Sequence, residues 1–141
     1  MTPWPPCDLQ RIQNAVETVE RATSAELRVH IARSCEGDPR DRAARIFASL
    51  GMHKTAARNG VLVYVAPISR KWAVLGDVGV NGRVPASFWS QLSSAATASF
   101  QAGDFTGGIA ELVERCGETL AQHFPSVPGD VNELPDHVSV E

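Results

Sequence analysis

The run Val61-Leu-Val-Tyr-Val-Ala66 constrains this 141-residue chain more than any other segment. Six successive uncharged, largely β-branched or aromatic residues leave neither side of a strand suited to water. Such a strand belongs in the middle of a sheet covered on both faces. The rest of the chain must supply the neighbours and the cover.

The neighbours are legible on either side. Upstream, Leu27, Val29 and Ile31 alternate with Arg28, His30 and Ala32, which predicts a strand with one wetter face. Downstream, Pro67-Ile-Ser-Arg70 is short enough for a hairpin into Trp72-Ala-Val-Leu75. Four helical stretches supply the cover. Asp8 is placed to cap a first helix carrying Leu9, Ile12, Val16 and Val19. Asp38-Pro39 starts a second, with Ala43, Ile46, Phe47 and Leu50 on its buried stripe and Gly51 at its end. Pro85 opens a third with Phe88, Leu92, Ala96 and Phe100, and Gly103-Asp104 precedes a fourth with Ile109, Leu112, Val113, Cys116 and Leu120. Gly76 to Gly82 reads as a loop or a broken extra strand.

The expected order is therefore α-β-α-β-β-α-α. A crossover through the second helix makes the first two strands parallel, and the hairpin adds the third antiparallel, giving a mixed sheet. Helices on both faces make this α/β chain a three-layer α/β/α sandwich. Residues 1–7 read as an N-terminal extension, 8–124 as the domain, and 125–141 as an acidic, proline-containing tail that lies on the domain or frays.

Composition narrows the function. A net charge of −3 offers no general attraction for nucleic acid or an anionic membrane. The N-terminus lacks the basic start and apolar run of a signal peptide, and no run is long enough to span a bilayer, so a cytoplasmic protein with no direct membrane insertion is expected. Cys7, Cys35 and Cys116 are far apart and form no zinc-type spacing, which fits reduced thiols, with Cys116 a core position. There is no Walker A loop and no G-x-G-x-x-G, so nothing points to a nucleotide cofactor.

The topology makes one further prediction. The starts of two parallel strands and the end of the antiparallel third lie on one edge of the sheet. That edge gathers Glu26, Arg58, Asn59 and Asp77. Asp77 lies between Gly76 and Gly79, where tight backbone can approach a ligand. Carboxylate and amide oxygens suit Ca²⁺ or Mg²⁺, while Arg58 suits a phosphate or carboxylate. Asp104 joins the set if the turn between the last two helices folds over the same rim. The plainer reading is turn chemistry at Gly76-Asp77 and Arg58-Asn59-Gly60, with Arg58 pairing with Glu26 or Asp77. His30 reads as a polar-face residue rather than a base, and His53, His123 and His137 have no partner spacing. Ser24 and Ser34 lack a nucleophile-elbow context, and Phe88, Trp72 and Trp89 read as core.

Five segments in order, Thr23-Ser-Ala-Glu-Leu-Arg-Val-His-Ile31, Leu50-Gly-Met-His-Lys-Thr55, Arg58-Asn-Gly-Val-Leu-Val-Tyr-Val-Ala66, Gly76-Asp-Val-Gly-Val80 and Asn132-Glu-Leu-Pro-Asp136, resemble the pattern of short bacterial proteins of the TPM domain family. The resemblance covers about residues 8 to 139. It implies a Rossmann-like sandwich and a range of family roles: phosphatase activity, photosystem repair, calcium binding, or partnership with membrane proteins. The resemblance maps site residues of the family onto Asp77, Asn59 and Asp104. Two departures stand out: Ser24-Ala25-Glu26 replaces the common Ser-Gly-Glu, and Gly129-Asp130 replaces a paired aspartate. The missing carboxylate weakens any metal site that draws on the tail.

Two functions compete on these grounds. One is a soluble binding module, tuned by Ca²⁺ and docking on a protein partner. The other is a metal-dependent phosphatase acting on phosphate monoesters, with Asp77 as the best catalytic candidate.

Overall fold

The computed structural model describes residues 8–126 and 138–141, with Ala95 described by its backbone alone. It is an α/β fold with a four-stranded mixed sheet and five helices among the described residues. In chain order these are α1 (Leu9–Ala22), β1 (Glu26–Ile31), α2 (Pro39–Ser49), β2 (Gly60–Ala66), β3 (Lys71–Gly76), α3 (Val78–Asn81), α4 (Phe88–Gln101), α5 (Phe105–His123) and β4 (Val138–Val140).

The sheet runs β3-β2-β1-β4. β1 is parallel to both β2 and β4, and β3 is antiparallel to β2. All seven residues of β2 are buried, as its composition demands. Alternation divides them between two cores. Val61, Val63 and Val65 join Leu27, Val29 and Ile31 against apolar residues of α1 and α5. Leu62, Tyr64 and Ala66 pack instead with Ala43 and Phe47 of α2.

The helix starts follow the expected chemistry. Asp8 accepts from the Arg11 N–H, and Asp38 accepts from the Arg40 N–H with Pro39 in the first turn. Among the described residues no helix is long and apolar enough to cross a membrane.

Three expectations need correction. The order gains α3, which forms where a loop or broken strand was expected. Its Val-Gly-Val-Asn sequence has poor helix propensity, but Asp77 caps the turn by accepting from the Val78 N–H at 2.7 Å. The order also gains β4. Residues 138–140 of the expected tail complete the sheet beside β1, and Thr23 forms a bridge with Pro125. Third, β1 has no wet face: Glu26, Arg28 and His30 are all buried. β4 and the residue after it supply polar partners for His30, whose Nδ1 lies 2.7 Å from Ser139 Oγ and whose Nε2 lies 2.6 Å from Glu141 Oε2. The N-terminal extension, Cys7, His137 and the Asn132–Asp136 motif lie outside the described residues.

Candidate functional site

The register brings four sequence-predicted residues to one edge. Glu26 is paired with Gly60, and Val61 with Gly76, so β1 and β2 begin where β3 ends. Backbone hydrogen bonds tie the edge together. The Glu26 N–H donates to Asn59 O, the Asp77 N–H to Gly60 O, and the Gly79 N–H to Arg58 O.

Arg58 and Asp77 form the centre of this edge. Arg58 Nε donates to Oδ2 at 2.7 Å and Nη2 to Oδ1 at 2.8 Å, a two-point fork. The carboxylate is almost wholly buried, its side chain 4% exposed, whereas the Arg58 side chain is 48% exposed. These hydrogen bonds raise the Arg58 pKa above its ordinary value. Arg58 reaches this position from a left-handed backbone conformation, φ 50°, which is disfavoured for any residue with a Cβ. The close approach of α3 has a matching requirement. A Cβ on Gly79 would collide with the carbonyl oxygens of Ala57 and Arg58.

Asn59 is buried beside this pair in sequence. Its Nδ2 donates to Ser24 O at 3.1 Å and its backbone N–H donates to Thr55 Oγ1. Its Oδ1 is buried and has no hydrogen-bond partner among the described residues. Glu26 is likewise buried.

Asp104 does not join them. It caps α5 by accepting from the Gly107 N–H, and Thr106 in the same turn accepts from the Asp8 N–H at the start of α1. The other ends of α1 and α5 meet at the rim, where the Ser24 N–H donates to Phe124 O. Asp104 therefore sits at the opposite end of the helix pair, and the turn before α5 does not fold over the rim. Among the described residues no three His, Cys, Asp or Glu side chains converge as a metal-binding group.

The remaining candidates have structural explanations. His30 is held on one ring nitrogen by Ser139 of β4 and on the other by Glu141 just after it, a role that sequence reasoning missed. The alternation Val138-Ser139-Val140 was the available signal, but three residues are too few to identify a strand. Cys35 and Cys116 are buried free thiols, and burial pushes Cys116 up to about 12. Phe88 is core, whereas Trp72 and Trp89 are half-buried and pack against its margin.

Comparison with known proteins decides the family. The model of the TPM domain matches residues 6–119. The chain belongs to the TPM domain family. The TPM fold seen here is similar to the NMR structure of BA42 protein from the psychrophilic bacterium Bizionia argentinensis, with 35% identity, a TM-score of 0.86, and coverage of 96% of this chain and 95% of that one. It also shares its fold with the N-terminal domain of cg2496 protein from Corynebacterium glutamicum, at 17% identity and a TM-score of 0.62, covering 92% of this chain and 76% of that one. No curated protein matches this TPM domain.

Proposed function

We propose that this TPM domain is a binding module whose Glu26–Arg58–Asn59–Asp77 rim is tuned by a divalent cation. The carrying observation is the asymmetry of one ion pair. A buried Asp77 carboxylate is closed by an Arg58 guanidinium that is itself half-exposed. Such a pair opens from outside: a ligand anion competes for Arg58, and a cation competes for Asp77.

The donor chemistry suits Ca²⁺ or Mg²⁺, which take carboxylate and amide oxygens. Asp77 offers the charge, and the unpartnered Asn59 Oδ1 offers a neutral oxygen already stripped of water. Either cation would have to displace Arg58, because the fork occupies both Asp77 oxygens. Asp104 is left out of this set. Released from Asp77, Arg58 is the group that meets a partner's carboxylate or phosphate. Val78, 64% exposed and adjacent to Asp77, gives a protein partner an apolar contact beside the charge. We read the architecture as the three-layer, Rossmann-like sandwich, with α2 on one face and α1 and α5 on the other, and place its action in the cytoplasm.

Calorimetric titration of Ca²⁺, then Mg²⁺, into the wild type, Asp77→Asn and Arg58→Ala tests this reading. Wild type should bind, Asp77→Asn should not, and Arg58→Ala should bind more tightly because the competitor is gone. Unchanged binding in Asp77→Asn, or none in either wild type or Arg58→Ala, removes the cation from the proposal. Turnover of a phosphate monoester that needs both the cation and Asp77 would replace the binding module with the metal-dependent phosphatase.

A further inference from the structure

A cavity of about 270 Å³ opens at the far end of the β2–β3 hairpin, away from the Asp77 rim and between α4 and the start of α5. Its wall is aromatic. The Trp72 and Phe100 rings lie 5.6 Å apart, and Phe100 and Phe105 lie 5.9 Å apart, each pair tilted rather than stacked flat. Its lining includes Arg70 and neither Asp nor Glu. Lys71 also lines the cavity, but its ammonium lies on the α2 face of β3, where Nζ donates to Gly37 O at 2.7 Å. Arg70 is exposed and forms no ion pair among the described residues.

The hairpin turn sets the position of Arg70. Among the described residues, Arg58 and Arg70 are the non-glycine residues with positive φ, at 50° and 53°. The first is explained by its fork on Asp77. The second follows the Pro67–Arg70 turn, where glycine would fit without strain. An exposed arginine with no ion pair among the described residues, at the mouth of an aromatic cavity, is open to an anion from outside.

We infer that this cavity binds a small aromatic anion: one aryl ring carrying a carboxylate or a phosphate. The ring packs against Trp72, Phe100 and Phe105, whose tilted faces and edges favour another aromatic. The anionic group meets the Arg70 fork. The volume lies just under the usual range for small-ligand pockets, which fits a single ring and excludes a nucleotide. A mere packing gap requires no unpaired arginine at its rim. This site is separate from the rim and stands without the cation reading.

An amide and indole NMR titration of the full chain tests it, with benzoate and phenyl phosphate as ligands. Benzamide serves as the neutral counterpart and inorganic phosphate as the ringless one. An aryl anion should shift the Trp72 indole and the Arg70 and Lys71 amides, and the tighter of the two assigns the anionic group. Benzamide and inorganic phosphate should each bind about tenfold more weakly or worse. Arg70→Gly suits the left-handed backbone, so it should keep the fold while losing about tenfold in affinity. The proposal is overturned if neither aryl anion moves these signals at about 10 mM. It is also overturned if benzamide or inorganic phosphate binds as well, or if Arg70→Gly binds undiminished.

Discussion

Arg58 grips both carboxylate oxygens of Asp77 across 19 positions of chain, joining the second residue before β2 to the residue after β3. The fork thus closes the base of the hairpin, while Asp77 simultaneously caps α3. One side chain has two separable duties, and substitution distinguishes them.

Asp77→Asn should keep an oxygen for the Val78 N–H while losing the charged fork. Asp77→Ala should lose both, and the cap alone is worth about 1 kcal/mol. Urea midpoints should therefore fall in the order wild type, Asn, Ala. Equal midpoints for Asn and Ala would mean that the cap contributes nothing.

Gly79→Ala should destabilise the domain by about 1–3 kcal/mol, because overpacking forces backbone apart. The colliding atoms are the Ala57 and Arg58 carbonyl oxygens, which cannot swing aside as a flexible side chain can. The same variant should disturb Arg58 and weaken whatever the rim binds. A thermal melt indistinguishable from wild type would show that α3 can lift away freely.

Tyr64 presents the opposite case. Its ring is fully buried in the core beneath α2, and among the described residues its hydroxyl makes no well-aligned hydrogen bond, although Cys35 and Arg42 lie near enough to act on its ionisation. Tyr64→Phe should therefore be neutral or stabilising by up to about 1 kcal/mol. Tyr64→Ala should cost about 3–5 kcal/mol through the cavity it leaves. Denaturant unfolding of both variants measures the contrast, and a large loss in Tyr64→Phe would reveal a hidden partner for the hydroxyl.

Alkaline pH should unfold the protein more readily than neutral pH. Burial pushes Cys116 from 9.0 to about 12 and Tyr64 from 10.0 to about 12, with Cys35 adding to the tyrosine's rise and Arg42 opposing it. Both groups hold their protons more tightly when folded, so the unfolded chain binds fewer protons above its own pKa values. Their contribution is complete below pH 9.0 and is lost progressively as pH climbs toward about 12. Stability measured across that window should fall less steeply in Tyr64→Phe and Cys116→Ala than in wild type, whatever their stability at pH 7.

His30→Ala should loosen β4 selectively. Both ring-nitrogen contacts to Ser139 and Glu141 disappear, whereas the β1–β2 ladder is untouched. Hydrogen exchange at residues 139–141 should accelerate by about tenfold, with β2 amides unchanged. Uniform acceleration through the sheet would instead mark His30 as a general core residue.

The sequence made the centre of this fold legible because β2 has no polar face to mislead the reading. Parallel β1 and β2 and the antiparallel hairpin followed, and so did the meeting of Arg58, Asn59, Glu26 and Asp77 on one edge. What escaped was tertiary. α3 depends on a cap and a glycine contact rather than on helix-forming residues. β1 looked wet on one face because Arg28 and His30 are polar, and its burial depends on structure that adjacent positions do not encode. The partners of His30 arrive from 109 and 111 positions away. Asp104 was misplaced for a related reason, since a helix cap looks alike at either end of a domain.

The parallel pairing of β4 with β1 also has a timetable. At roughly 5–20 residues per second, a ribosome needs on the order of 5–20 s to travel from His30 to Ser139. For that interval β1 has β2 on one flank at most, and its other hydrogen-bonding edge is bare. A nascent TPM domain of this design therefore passes through a stage with an open sheet edge, when a chaperone or a neighbouring chain can claim the place that β4 will fill.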